Sequence, residues 1–154
     1  DGGLGVAWLP VVLVVMNIAY SLSAYPFGKL SDRMDHRQLL IMGLVVLFVA
    51  DLVLALGNHW LWTLVGSVIW GLHMGMTQGL LATMVAHTAP KALRGTAFGF
   101  FNLVGGVALF LASAVAGLLW TWAGPALTFY AGAAFCLLTI GLMMCQGKPA
   151  VEPT

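Results

Sequence analysis

The chain has 154 residues, a formal net charge of +1 at pH 7, and a composition that is 61% hydrophobic and only 7% charged. A water-soluble domain of this length could not cover so much apolar surface, so soluble enzymes and soluble binding modules are excluded. Basic patches interleaved with aromatic residues are also absent from the sequence, which argues against a nucleic-acid partner.

Five apolar runs follow one another along the chain, each close to the roughly 20 residues that a membrane-spanning helix needs. They cover residues 6–27, 39–56, 61–85, 96–120 and 126–144. Backbone groups inside a bilayer must form hydrogen bonds within their own segment, so each run is predicted to be a helix. The short breaks, at 57–59, 89–91 and 123–125, contain the turn formers Gly, Asn and Pro. We therefore predict an all-α, polytopic membrane protein with a transmembrane domain at 1–146 and a cytoplasmic tail at 147–154.

Two independent signals predict the orientation of these helices. If the chain starts outside the membrane, all six Lys and Arg residues fall on the inner side, as the positive-inside rule requires. Five of the six Trp residues then lie at the outer interface, where their rings are favoured. We expect a multi-pass protein of the cell inner membrane, with its N-terminus outside and its C-terminus in the cytoplasm.

An odd number of spans that enters from outside is unusual for a complete membrane protein. The chain also opens with Asp1-Gly2-Gly3 and not with Met. Both features predict a fragment, with at least one further helix upstream.

The loop at 28–37 holds five charged residues within ten positions and carries a recognisable spacing. Its sequence, Gly28-x-Leu30-Ser31-Asp32-Arg33-x-x-x-Arg37, resembles the signature loop of the major facilitator superfamily, Gly-x-x-x-Asp-Arg/Lys-x-Gly-Arg-Arg/Lys. The segment 94–99, Arg-Gly-Thr-Ala-Phe-Gly, is similar to the start of that family's eleventh helix. The resemblance implies helices eight to twelve of a bacterial transporter, that is, part of its C-terminal six-helix half. Two positions depart from the pattern: Asp35 replaces Gly, and His36 replaces Arg.

The charged residues of this loop have two interpretations. Asp32 at a helix end can stabilise the N-terminus of a facing helix or pair with a nearby Arg, as a latch between transporter halves. Gly28 permits a close approach or an unusual turn. Arg33 and Arg37 would both face lipid headgroups if the loop were helical, which favours a simple lipid anchor. The resemblance favours the latch, and it adds Arg94 to the gating residues.

Polar residues at membrane depth are candidates for substrate binding or ion coupling, because they are costly in lipid. The candidates are His73, Gln78, Asn17, Tyr20, Asn102 and Asp51. The resemblance makes the third span a cavity helix, which ranks His73 and Gln78 first, with His73 as a substrate ligand or proton carrier. Interhelical hydrogen bonds are the alternative for all of them. For Asp51, on a support helix by the resemblance, snorkelling to the outer interface is preferred to proton coupling.

Small residues recur every four positions in the third span, at Gly71, Gly75 and Gly79, and a similar pattern begins at Gly95 and Gly99. Such stripes allow helices to contact closely, so helix packing is the predicted role.

The sequence contains none of the common enzyme motifs, and no cofactor or metal is predicted. The resemblance implies transport of a small molecule or ion by alternating access, with proton-coupled efflux as one possible form. The expected partners are the lipid bilayer and either a missing N-terminal half or a second copy. The alternative is a small membrane scaffold or assembly subunit that binds other helices without transport.

Overall fold

The computed structural model describes residues 8–145, which form helices and short connections and contain no strand. The helices are α1 (Leu9–Ser31), α2 (His36–Leu56), α3 (Trp60–Thr88), a short 3-10 helix (Lys91–Leu93) and α4 (Arg94–Cys145). By length and composition, the four long helices of this part of the chain can each cross a membrane. The predicted tail at 147–154 lies outside the described residues.

The helix α4 is interrupted at Gly124. Its 52 residues would extend about 78 Å at 1.5 Å per residue, far more than the roughly 30 Å of bilayer hydrocarbon. Gly124 has φ 83° and ψ 173°, a non-helical conformation in a region that only glycine adopts readily. Pro125 follows, and proline disfavours a helical conformation at the residue before it. The break separates a first segment of α4 (94–123) from a second (125–145), which match the fourth and fifth predicted runs.

The first helix is longer than its apolar run. It continues past Pro26 to Ser31, four residues beyond the predicted end at residue 27. A proline near a helix end removes one backbone hydrogen bond but does not have to stop the helix. The charged loop is therefore shorter than expected, because Gly28 and Lys29 belong to α1.

The helix α3 lies between α1 and α2, and its glycines allow both helices to pack closely against it. Gly71 contacts Met16 and Ala19 of α1, while Gly75 contacts Tyr20 and Ser23, so α1 and α3 run in the same direction. On α2, Leu54 lies beside Gly66 of α3, and Gly43 lies beside Thr77, so α2 and α3 are antiparallel. These relative directions are those of consecutive membrane spans.

The second segment of α4 packs on the other side of α2. Asp51 lies against Gly132, and Arg37 binds the backbone of Met143, so these two helices are also antiparallel. Within residues 8–145, the first segment of α4 contacts the end of α3 along a groove that includes Met84, Pro90 and Phe100.

The buried core is small for a chain of this length. Its main cluster consists of Leu39, Met76 and Leu80, where α2 crosses α3, and Ala50, Ala133 and Cys136 are buried outside this cluster. Most large apolar side chains are exposed, and Phe110 on the first segment of α4 is 72% exposed. Lipid tails are as apolar as these side chains, so a membrane protein needs no large core.

The glycine stripes contribute to packing only in part. Gly71 and Gly75 lie in the contact between α1 and α3, where even a methyl group would overlap atoms of α1. In contrast, Gly79, Gly95 and Gly99 have no neighbouring atom within 4 Å of where a Cβ would lie. For these three positions the predicted helix contact is not made within residues 8–145.

We expect Gly124→Ala to destabilise the protein by roughly 1–3 kcal/mol, because alanine is strained in this backbone conformation. The measurement is the free energy of unfolding in detergent, monitored by circular dichroism. Gly117→Ala is the matched control, since Gly117 lies in the same helix with open space around it; it should be neutral or stabilising. Equal effects of the two substitutions would contradict the assigned break.

Candidate functional site

The loop between α1 and α2 is a tight turn with its own hydrogen bonds. The N–H groups of Arg33 and Met34 both donate to the carbonyl of Leu30, each at 3.0 Å. Asp35 caps the N-terminus of α2, since its carboxylate accepts a hydrogen bond of 3.2 Å from the N–H of Arg37. Asp is among the best N-cap residues. The departure from the family pattern at Asp35 thus has a structural reason.

Two features considered for this loop are not found within residues 8–145. Gly28 lies inside α1, and no neighbouring atom lies within 4 Å of where a Cβ would be, so it supports neither a close approach nor an unusual turn among residues 8–145. Arg33 and Arg37 do not share one helical face, because the turn separates them.

The guanidinium of Arg37 donates a hydrogen bond from Nη2 to the backbone carbonyl of Met143, in the last turn of α4. The last carbonyls of a helix have no partner within the helix, and a cation stabilises them. Arg37 therefore joins the signature loop to the end of the last span. Arg33, by contrast, is exposed.

The residues of the predicted latch remain accessible. Asp32 is exposed at the end of α1, and Arg94 is exposed as the first residue of α4. Within residues 8–145 the Asp32 carboxylate forms no salt bridge. The latch stays a prediction, and the partner that it needs would lie outside this part of the chain.

His73 connects two helices. Its Nδ1 lies 2.7 Å from the carbonyl oxygen of Gly43 in α2. A carbonyl only accepts hydrogen bonds, so Nδ1 carries a proton, and in the neutral imidazole Nε2 is then an acceptor. Gly43 makes this contact possible, because a Cβ there would lie 2.5 Å from Thr77 Cγ2. The hydrogen bond is the one that the packing interpretation expects; a role in transport stays a prediction.

The other cavity candidates are not gathered in one pocket. Asn17 donates a hydrogen bond of 2.8 Å to Leu13 of its own helix, and it lines a groove on α1 with Ser21 and four apolar residues. Tyr20 is half-buried beside α3, while Gln78 and Asn102 are exposed. Each of these side chains lies on a helix surface, where a further helix or a solute can reach it.

Asp51 does not snorkel, which corrects the preferred expectation. Its side chain is 6% exposed and lies in the contact between α2 and the second segment of α4. A Cβ at Gly132 would lie only 2.6 Å from its Oδ2, so the absence of a side chain at 132 makes room for the carboxyl group. Cys136, also buried, lies one turn further along the same helix.

Besides the contact of Arg37 with Met143, three further contacts around these sites were not predicted from the sequence. The capping role of Asp35 could have been found, because an Asp directly before an apolar run is an N-cap signal. The contact of Gly132 with Asp51 had no local signal, since a glycine in a span does not tell which residue it faces. The contact of His36 with His87, whose ring centroids lie 6.1 Å apart, also had no local signal in the sequence.

In the described part of the chain, no group of three or more His, Cys, Asp or Glu residues could hold a metal ion. Cys136 and Cys145 are both free thiols.

The contact of Arg37 with Met143 predicts a difference between two arginines. Arg37→Ala should destabilise the protein by about 1.5–3 kcal/mol, the usual contribution of a hydrogen bond from a charged group. Arg33→Ala removes the same charge from an exposed position and should change the unfolding free energy by less than about 0.5 kcal/mol. Unfolding in detergent measures both, and equal losses would contradict the assigned contact.

The contact of Asp51 with Gly132 predicts a loss that a second substitution repairs. Gly132→Ala should destabilise by roughly 1–3 kcal/mol, because its methyl group overlaps the carboxyl group. Combining it with Asp51→Ala should remove the overlap, so the two changes should be strongly non-additive. Gly141→Ala, in open space on the same segment, is the control. Additive losses would show that the two residues do not meet.

Comparison with known proteins matches this chain to one transporter family and to individual transporters. The family model described as Major Facilitator Superfamily matches residues 3–153. An uncharacterized MFS-type transporter of Methanocaldococcus jannaschii is 28% identical over 137 residues, which are 88% of this chain and 34% of that protein. A D-xylose transporter of Levilactobacillus brevis is 36% identical over 84 residues, 54% of this chain and 18% of that protein. An arabinose-proton symporter of Bacillus subtilis is 30% identical over 76 residues, 49% of this chain and 16% of that protein.

The chain thus spans about a third or less of the length of these relatives. The family match covers nearly every residue, including the turn with its capped helix and all five helical segments. This chain belongs to the Major Facilitator Superfamily.

Proposed function

We propose that this chain serves membrane transport of a small solute by alternating access, as part of the C-terminal half of a transporter. The observation that carries the proposal is the family match over residues 3–153. In alternating access, two pseudo-symmetric halves rock about a site near the middle of the membrane. The second face of the cavity would come from an N-terminal half or from a second copy of this chain.

A neutral, hydroxyl-bearing solute such as a pentose or hexose is the substrate class that we propose to test first. The side-chain amides of Asn17, Gln78 and Asn102 are exposed on three helices, and amides both donate and accept hydrogen bonds. Transporters of D-xylose, arabinose and hexoses are among the relatives by their names. Both observations support a sugar.

In this proposal, the imidazole ring of His73 is a binding group for the solute, and its orientation is fixed by packing. Its hydrogen bond to Gly43 holds the ring at the contact of α2 and α3 and leaves Nε2 free to accept a hydrogen bond from a solute hydroxyl. The surrounding packing restricts the ring, and a binding group that is already in place loses little entropy when the solute binds.

We further propose that transport is coupled to protons, with Asp51 as the residue that gains and loses the proton. A charged carboxylate in a nearly dry helix contact is costly, while an uncharged one fits there far better. Gain or loss of a proton at Asp51 would therefore change how well α2 and α4 fit together. The direction we propose is efflux from the cytoplasm across the inner membrane, with all cationic loops on the cytoplasmic side.

The experiment is counterflow of radiolabelled xylose, arabinose and glucose in proteoliposomes that contain the chain at densities where cross-linking detects dimers. We expect entry of at least one sugar above that of empty vesicles. Gln78→Ala should reduce this entry at least tenfold. Gln38→Ala, the same change at an exposed position at the start of α2, should leave it unchanged.

Two further variants address the gate and the histidine. Asp32→Asn should insert normally yet impair flux, if the exposed carboxylate forms the latch between halves. His73→Ala should reduce flux even where circular dichroism shows an intact fold. Dimers without flux of any of these sugars would contradict the proposal and favour the scaffold alternative, in which the open glycine stripes bind other helices.

A further inference from the structure

His36 and His87 approach each other at one end of the helix bundle. Their ring centroids are 6.1 Å apart, with an angle of 62° between the ring planes. His36 is the first residue of α2, and His87 lies in the last turn of α3. The two residues are 51 positions apart in the chain, so only the packing of α2 on α3 brings them together.

The distance between these rings suits a shared metal ion. A zinc ion binds an imidazole nitrogen at about 2 Å, so an ion between two rings places their centroids roughly 5–6 Å apart, slightly closer than the 6.1 Å of this structure. To form the site, the side chains would rotate so that one nitrogen of each ring faces a common point. Imidazole is a preferred ligand of Zn²⁺, Ni²⁺ and Cu²⁺.

The helices under the pair hold it in place. Leu39, one turn from His36, is fully buried, and it packs with Met76 and Leu80 of α3 in the core. Leu80 lies two turns from His87 on the same helix. The backbone positions of both histidines are thus set before any ion binds, which lowers the entropic cost of forming a site.

The charges around the pair do not prevent a cation from binding. The guanidinium of Arg37, the residue after His36, donates a hydrogen bond to the carbonyl of Met143 on α4, and Lys29 lies over the ring of Tyr25, 4.8 Å from its centroid. Asp35 adds a negative charge beside His36, and the C-terminal end of α3 favours a cation near His87. Lys91 and Arg94 follow α3 and are exposed, so they can extend into solvent.

We propose that His36 and His87 bind a divalent transition-metal ion, of the zinc or nickel class, which clips the start of α2 to the end of α3. With two protein ligands, the remaining coordination positions are filled by water. The clip lies next to the turn at 32–35 and would restrict movement of the signature loop. This site is independent of the solute and of the transport proposal.

The test measures metal binding by the full chain in detergent, purified without a histidine tag. Addition of Zn²⁺ or Ni²⁺ should raise the unfolding temperature in a saturable way, because an ion that binds only the folded state stabilises it. Mg²⁺, which prefers oxygen ligands, should have no effect. Isothermal titration calorimetry should give one ion per chain.

Variants locate the site. His36→Gln and His87→Gln should each weaken binding at least tenfold, while the unfolding temperature without metal stays close to that of the parent. His59→Gln and Cys145→Ser remove other metal-binding groups and should leave the affinity unchanged. Unchanged affinity in the His36→Gln, His87→Gln double variant, or no binding at millimolar Zn²⁺, would overturn the proposal.

Discussion

The close approach of α3 to its two neighbours is the constraint on which the rest of this structure depends. Gly71 and Gly75 let α1 contact the backbone of α3, and Gly43 lets side chains of α3 approach the backbone of α2. In lipid, burial of apolar surface gives no driving force between helices, so close van der Waals contact and interhelical hydrogen bonds must hold the bundle together. Each of these glycines removes a side chain that would keep two helices apart.

The same contacts determine where polar groups can lie within the membrane. The imidazole of His73 reaches the carbonyl of Gly43 only because α2 is so near, and Asp51 fits against α4 only because Gly132 has no side chain. A polar group inside the bundle costs less when a neighbouring helix supplies a partner or a fitted space. Packing and candidate function are therefore linked in this protein: substitutions that separate the helices also move its polar residues.

The loop at 28–37 shows how far a motif predicts structure. Its spacing indicated the family correctly, and Asp35, a departure from the pattern, is also understandable from local chemistry as a helix cap. Arg37, however, acts on Met143, more than 100 positions away, and His36 meets His87 on another helix. Neither contact follows from the loop sequence, since both depend on how α2 packs against α3 and α4.

By itself, the sequence determined that residues 8–145 form five apolar helical segments and where these begin and end to within a few residues. It also determined that Gly124-Pro125 divides the last two. Those features follow from the requirement that backbone groups in lipid bond within their own segment, and from the fixed conformations of proline and glycine, all of which are local. Only the tertiary structure decided that Gly79, Gly95 and Gly99 stay open while Gly71 and Gly75 are covered, and that Asp51 is buried. A residue in a span can face lipid, solute or another helix with the same local sequence, because the choice depends on which helices become neighbours.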